Sequence, residues 1–276
     1  MTAAATVDAA AMHAADAMEA AAYRDLYAAA PTALRGRLGL HAEWREGATV
    51  LLAPGLPTPL FNRVIGVDRP QMDDDRLLDA VARLYQDAAV SAWWLHASPA
   101  ADPAAWVPRL QARGWQVPAR RTWAQMRRTT ADVPAAPSPL RVGPCHDAEV
   151  GATTAAIASA FGLPPFMADW LAALQGRPRW QLFTIADGAQ AVGGAALFVD
   201  GTRAWLGMGS VLPSHRRRGG QLAAMAARIQ AAARSGAVDV FTETGEAVAD
   251  EANPSLANMR RAGFVQVASR LNLQSP

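Results

Sequence analysis

The chain contains no lysine: all 26 basic residues among its 276 are arginine. That absence excludes Schiff-base chemistry on a lysine amine and any control by modification of the protein's own lysines. Cysteine is nearly absent as well. The lone Cys145 rules out an intrachain disulfide or a cysteine metal cluster and fits a reducing compartment. No apolar run suits a membrane span. Residues 150–168 lack charge, but Thr153, Thr154, Gly162, Pro164 and Pro165 interrupt them. The stretch Met1 to Ala30 is alanine-rich, carries Asp8, Asp16, Glu19, Arg24 and Asp25, and has neither an apolar signal core nor a basic leader. A cytoplasmic location is therefore expected. An excess of charge of either sign is also lacking, with 26 basic against 24 acidic residues. A net charge of +2 is too small to argue for a nucleic-acid surface, despite a pI of 9.2. No second histidine or carboxylate stands at ligand spacing, so no metal is expected.

What is present describes a soluble globular chain, 51% hydrophobic with a mean hydropathy of +0.02. Its length fits one large domain or two compact ones. Residues 129–139, with Pro134, Pro137 and Pro139 spaced through small residues, read as a linker that divides the chain nearly in half. The halves end alike. Arg109 to Arg113 leads through Gly114 and Trp115 to Gln116 and then Trp123. Met259 to Ala262 leads through Gly263 and Phe264 to Gln266 and then Leu273. Both read as a short helix, a glycine cap, an aromatic and a strand. The preceding order matches too, with a helix over 74–87 and a strand over 92–97 against a helix over 219–235 and a strand over 238–243. This predicts a tandem duplication with units at 1–130 and 140–276 and a linker at 131–139.

In the second unit, residues 140–143 suggest a strand and 147–161 a helix. A further helix over 165–175 places Phe166, Trp170 and Leu174 on one face. Residues 180–186 and 191–199 alternate as a hairpin across Asp187-Gly188, and 203–211 is the next strand. After it, Leu222, Met225, Ala226 and Ile229 form one helical stripe. Strands mixed with helices on the sheet faces give an α/β or α+β layer fold.

The run Val211 to Gln221 is the most informative stretch. It sets Arg216, Arg217, Arg218, Gly219 and Gly220 where a strand ends and a helix begins. Cations oppose the dipole at a helix start, typically costing about 0.3–1 kcal/mol each, so an anion is expected there. Gly219 and Gly220 allow close approach to a pyrophosphate, successive N–H groups donate to it, and the arginines pair with its oxygens. In the first unit the matching helix start carries Asp73, Asp74 and Asp75, which would repel a phosphate. That unit is expected to support the second and to wall its acceptor site.

The pattern Val211-x-Pro213-x-x-Arg216-x-x-Gly219-x-Gln221 resembles the acyl-CoA binding loop of the GNAT N-acetyltransferases, with Gln221 in place of the motif's last small residue. Asn253 to Phe264 looks like the same family's C-terminal motif, an asparagine-led helix closing on Gly-Phe. The resemblance covers residues 140–274 well, and over the first half only topology. It implies two GNAT-like units in tandem, acetyl-CoA as co-substrate, and direct attack of a small-molecule amine on the thioester. Ser210 and Val211 would contact the pantetheine and the oxyanion. Arg216 to Arg218, Gly219, Gly220, Gln221 and Leu222 would hold the phosphates. Asn253 and Asn258 would bond the pantetheine amides, and helix capping by Asn253 is an equally open role. A non-catalytic CoA-binding module is the alternative reading.

Such a reaction needs a base for the ammonium and is helped by an acid for the thiolate. The family's tyrosine acid would fall at Met259, and Tyr23, Tyr27 and Tyr85 all lie in the first half. Ser255 or a bound water is left as the acid. Glu243, at the end of a strand beside the CoA helix, is the expected base, with an exposed strand-end carboxylate as the competing reading. Glu246, Asp250 and Glu251 could draw in a cationic acceptor. His215 is expected to face phosphate or solvent, and His146 to be structural. The loop 161–166, with Trp170 and Trp205, is expected near the acceptor pocket.

Overall fold

The computed structural model describes residues 8–68, 75–116, 122–248 and 251–276. Its first helix, α1 (Ala9–Ala29), is capped by Asp8, whose carboxylate accepts from the Ala11 N–H at 3.0 Å. Few helices hide so much of their surface. Ala14, Ala15, Met18, Ala22, Leu26 and Tyr27 are buried, and so are Asp16 and Glu19. The helix packs against strands of both sheets of the molecule, and its alanines let those sheets approach closely.

After α2 (Thr32–Leu38) come the antiparallel strands β1 (His41–Arg45), β2 (Ala48–Leu52) and β3 (Arg63–Val67). Helix α3 (Arg76–Asp87) crosses over to β4 (Trp94–Ala97), parallel to β3. Helix α4 (Val107–Ala112) follows, and then β5 (Trp123–Thr129). The second half runs β6 (Arg141–Pro144), α5 (Val150–Ala160), α6 (Met167–Ala172), β7 (Trp180–Asp187), β8 (Gln190–Asp200) and β9 (Arg203–Val211). It ends with α7 (Gly220–Arg234), β10 (Asp239–Gly245), α8 (Pro254–Arg261), β11 (Val265–Arg270) and β12 (Leu273–Gln274). The fold is a mixed α/β one with two mixed sheets flanked by helices. Most of the expected strands and helices sit within two or three residues of their observed bounds. The helix expected at 165–175 shortens to α6, with Pro164 and Pro165 outside it.

The sheets do not divide where the linker does. One has the order β1-β2-β3-β4-β12 and the other β11-β5-β10-β9-β8-β7-β6. Strand β5, from the first half, lies between β10 and β11, with Arg127 opposite both Phe241 and Val265. The C-terminal β12 returns to the first sheet, where Leu273 faces Leu95. The expected break at 131–139 therefore connects two strands of one sheet, β5 and β6. Those strands are five positions apart, about 24 Å at about 4.8 Å per strand. The prolines keep the connection extended, and an extended chain covers that span at about 3.3 Å per residue. On the way it passes the start of α7, where Ser138 donates to the Arg218 carbonyl at 2.8 Å.

Three clusters of buried side chains hold these layers. One lies under α7 and α8 with Met225, Ile229, Leu256 and Met259. Another lies under α3 and α4 with Val81, Tyr85, Trp93 and Leu110. The third joins the halves through Leu26, Phe61, Trp170, Trp205 and Phe241. Trp170 belongs to this core. Its indole donates to the Leu26 carbonyl at 2.7 Å and packs edge-on against Tyr27.

Candidate acyl-transfer site

Strands β9 and β10 run parallel for only three pairs, ending at Phe241 opposite Trp205. Thr242 still reaches across to the Leu206 carbonyl at 2.8 Å, and beyond it the pairing stops. On its other side β9 bulges against β8, with a register shift opposite Gly194–Ala196 and a left-handed φ of 57° at Met208. A bulge bends a strand and increases its twist, so β9 swings away from β10 and leaves a wedge. Arg228, fully buried on α7, holds this distortion. Its guanidinium donates at 3.0 Å to the carbonyls of Ala196 and Gly207, and burial lowers its pKa to about 9.

At one end of the wedge stands the start of α7. Gly219 occupies the N-cap position at φ 78°, and no side chain caps the helix. Its first N–H groups therefore have no side-chain partner. The two glycines also answer to the protein's own packing. A Cβ at 219 would lie 2.8 Å from the Pro137 carbonyl oxygen, and one at 220 would lie 2.9 Å from a Leu140 methyl. The arginines differ from one another. Arg216 and Arg217 are exposed, and Arg216 donates through Nε to the Val211 carbonyl at 3.2 Å. Arg218 forms a two-pronged pair with Asp187 at 2.6 and 3.3 Å, which leaves it less of its charge for a ligand. His215 lies between Ser214 and that same Asp187. Leu222 is half-buried against the core under α7.

A short polar chain spans α7 and α8 beside the wedge. Asn258 donates to Gln221 at 2.7 Å, and Gln221 donates to Ser255 at 3.0 Å. Asn253 has its side chain committed. Its oxygen accepts from the Ser255 and Leu256 N–H groups at 2.9 and 3.2 Å, and its amide reaches Thr244 and the Gly245 carbonyl. This is the capping role. It also pins the end of β10 to the start of α8.

From the wedge a cavity of about 330 Å³ opens toward the first half. Gly209, Gln221, Thr242, Glu243, Ser255 and Met259 line it from one side. Tyr23, Leu26, Leu60, Phe61 and Trp123 line it from the other. Phe161, Leu163 and Trp205 reach it as expected, whereas Trp170 and Phe166 do not. Phe166 stacks under Arg37 at 4.3 Å instead. Glu246 turns to Thr122, Gln266 and Ser269 rather than to the cavity. Asp73, Asp74 and Asp250 lie outside the described residues. Asp75 is bound by Arg109 and Arg113 at 2.5 and 2.7 Å. His146 caps the 3₁₀ turn before α5 together with Glu149.

Glu243 is not an exposed strand-end carboxylate. It stands at the cavity floor with only 9% of its side chain accessible, and it accepts from Arg270 at 2.7 Å. Behind it lies a buried charge cluster. Arg270 also binds Glu19, and Asp16 at 3.2 Å, while Gln125 donates to Asp16 at 2.7 Å. Arg63 meets Glu19 at 2.8 Å in a charge contact without hydrogen-bond alignment, and its guanidinium lies 4.2 Å from the Tyr23 ring. Burial and the neighbouring Glu19 carboxylate push Glu243 well above the usual carboxylate range. Against burial, Arg270 and then Arg63 hold Glu19 down at about 2. Burial raises the Tyr23 phenol to about 12, so it keeps its proton.

Sequence reasoning missed Tyr23, Glu19, Arg63, Arg270 and Arg228. Acidic residues in an alanine-rich segment were the available signal for Glu19. The others depend on contacts between distant parts of the chain.

No known protein-family model matches this sequence, and no curated protein matches it. Solved structures do match. A GCN5-related N-acetyltransferase from Kribbella flavida is similar at a TM-score of 0.61 and 20% identity, over 92% of this chain and 95% of that one. A GCN5-related N-acetyltransferase from Sphaerobacter thermophilus is similar at a TM-score of 0.60 and 19% identity, over 88% and 83%. A tandem GNAT protein from the clavulanic acid biosynthesis pathway is similar at a TM-score of 0.57 and 18% identity, over 83% and 78%. The chain has the GNAT fold.

Proposed function

We propose that this GNAT-fold chain is an N-acyltransferase that moves an acetyl group from acetyl-CoA to the primary amine of a small molecule. The observation that carries the reading is the wedge between β9 and β10. It begins at an uncapped, arginine-flanked helix start and leads to a cavity floored by a carboxyl group. Phosphates would be held by Arg216, Arg217 and the N–H groups of residues 219–222, with Arg218 steadying the loop through Asp187. Backbone groups of Ser210 and Val211 would meet the pantetheine and polarise the thioester carbonyl. Gln221 and Asn258 stand beside that path, and Asn253 shapes it by capping. Under this reading residues 140–276 carry the donor site, and the first half walls the acceptor site.

Glu243 is the base. It takes a proton from the ammonium, the freed amine attacks the thioester carbon, and the C–S bond breaks. The departing thiolate takes a proton from Ser255, or from the Tyr23 phenol across the cavity, and the nitrogen's second proton, lost as the amide forms, restores that group. Met259 in place of a tyrosine favours one competing reading, a CoA-binding module without turnover. Titrating acetyl-CoA and following thiol release across an amine panel decides between them. Saturable, amine-dependent release is expected. Tight CoA binding with no release for any amine would leave only the module.

A further inference from the structure

The charge cluster at the cavity floor does not balance. Two guanidiniums, Arg63 and Arg270, face three carboxyls, Asp16, Glu19 and Glu243, and all five are largely or wholly buried. Among the described residues, the neighbours packed on them add no further cation. His96, buried on β4 nearby, is kept neutral by burial and by the same two arginines, and the Tyr23 phenol stays protonated. Asp16 and Glu19 lie behind the wall, each paired to arginine; burial raises Asp16 above its ordinary value, whereas against the same burial the arginines hold Glu19 down. Glu243 is the one acidic side chain that lines the cavity among the described residues. The other cation on the wall, Arg228, is spent on main-chain carbonyls. Much of the remaining wall is apolar, with Leu26, Phe61, Ile157, Leu163, Met167 and Trp205, and of its polar side chains Thr242, Thr244, Gln221 and Ser255 already bond within the protein.

Resting on the acyl-transfer reading, we propose that Glu243 seats the acceptor's ammonium group and that the acceptor carries an aliphatic or aromatic body rather than a polar one. The ammonium supplies the cation the cluster lacks. The hydrocarbon replaces water against the apolar wall, at roughly 25 cal/mol per Å² of apolar surface buried. A sugar amine would have to bury several hydroxyls on a wall where apolar side chains predominate and few polar ones are free to bond them. Without the acceptor, a proton on Glu243 relieves the excess charge, in keeping with its raised pKa. When the ammonium docks, that proton leaves to solvent and the carboxylate remains beside the cation. The same carboxylate then accepts the amine's own proton as attack begins. Binding is therefore linked to release of one proton.

The test is calorimetry on the CoA-loaded protein at neutral pH with phenethylamine, its neutral counterpart phenethyl alcohol, and glucosamine. We expect phenethylamine to bind about tenfold more tightly than either, as a charge-assisted contact and an apolar fit together allow. Its apparent enthalpy should vary with the ionisation enthalpy of the buffer, reporting about one proton released. Glu243→Gln should bring amine and alcohol to equal affinity and abolish the proton release. Equal affinity of amine and alcohol in the unaltered protein, tighter binding of glucosamine, or proton release surviving in the variant would each overturn the proposal. The first two comparisons need no variant, so a folding defect in Glu243→Gln cannot mask the result. Glucosamine acetylated in preference to phenethylamine sinks this proposal and leaves acyl transfer standing. Failure of CoA to bind sinks the acyl-transfer reading first, and the same comparison on the CoA-free protein still judges the seat.

Discussion

A carboxyl group buried beside another carboxylate titrates the opposite way from one clasped by arginines, and Glu243 and Glu19 stand in those two situations within one cluster. Glu19 is held at about 2 against an ordinary 4.5. Its contribution to stability is full above the ordinary value and is lost as pH falls toward the folded one. Glu243 is shifted upward, so its contribution is full in acid and is lost as pH rises through the raised value. We therefore expect the unfolding midpoint of the native chain to decline as pH rises above the ordinary carboxylate range, and Glu243→Gln to flatten that alkaline-going limb while leaving the acid limb intact. Denaturant titrations across pH check this. An unchanged alkaline limb in the variant would show that Glu243 ionises normally. Arg270 binds all three carboxyls, and breaking a buried pair from one side costs about 3–5 kcal/mol. Arg270→Gln should show a loss of that size in the same measurement. At the other end of the wedge, Arg216 is exposed and its removal should leave the fold intact while weakening CoA binding about tenfold. Gly219→Ala, forced into a left-handed φ of 78° against the Pro137 carbonyl, should also cost about 1–2 kcal/mol of stability. Calorimetry that finds CoA affinity unchanged in both would remove the phosphate-loop assignment.

Elements were legible where burial is one-sided or evenly two-sided over a local stretch. Strands β7 and β8 are buried on both faces over nearly their whole length, and their apolar runs on either side of Asp187-Gly188 mark their bounds, as the stripe on α7 marks that helix. The first helix, α1, shows why others were hidden. It is buried on nearly every face between two sheets, so no apolar stripe distinguishes it, and Asp16 and Glu19 read as solvent-facing until Arg270 and Arg63 are seen beside them. The wedge was legible at the arginine-glycine turn. The bulge at Met208 and its buried support Arg228 were not, because both depend on β8 and β9 meeting. The short β12 carries a testable consequence. Leu273 is fully buried, Gln274 bonds Gln116 both ways, and the Ser275 N–H reaches the Trp93 carbonyl at 3.0 Å. Deleting residues 271–276 should bare the β4 edge and cost about 1.5–3 kcal/mol for the leucine alone. Hydrogen exchange should then quicken at residues 93–97 and not in β7 or β8. Uniform acceleration across both sheets would show instead that the strand supports the whole molecule.

At the scale of the whole chain, the tandem pattern in the sequence pointed to two units, while the sheets are built by exchanging strands between them. Loop and strand signals are local and report where an element is, whereas sheet membership is settled by pairing over long distances. The exchange predicts that residues 140–276 expressed alone will not fold, since β10 and β11 lose the strand between them. Supplying residues 1–139 as a separate chain should restore a soluble complex, and a cut within 131–139 should leave the halves together through gel filtration. A folded, CoA-binding fragment 140–276 would refute that view.

The interlock bears on what mutation can do to such a protein. Under the proposed reading the first half binds no donor, so its helix start after β3 is free to drift in sequence. It cannot be discarded, because its last strand is a rib of the other half's sheet and its helix α1 carries two of the carboxyls behind the cavity floor. Change at that helix start is open to the gene, and shortening to residues 140–276 is not.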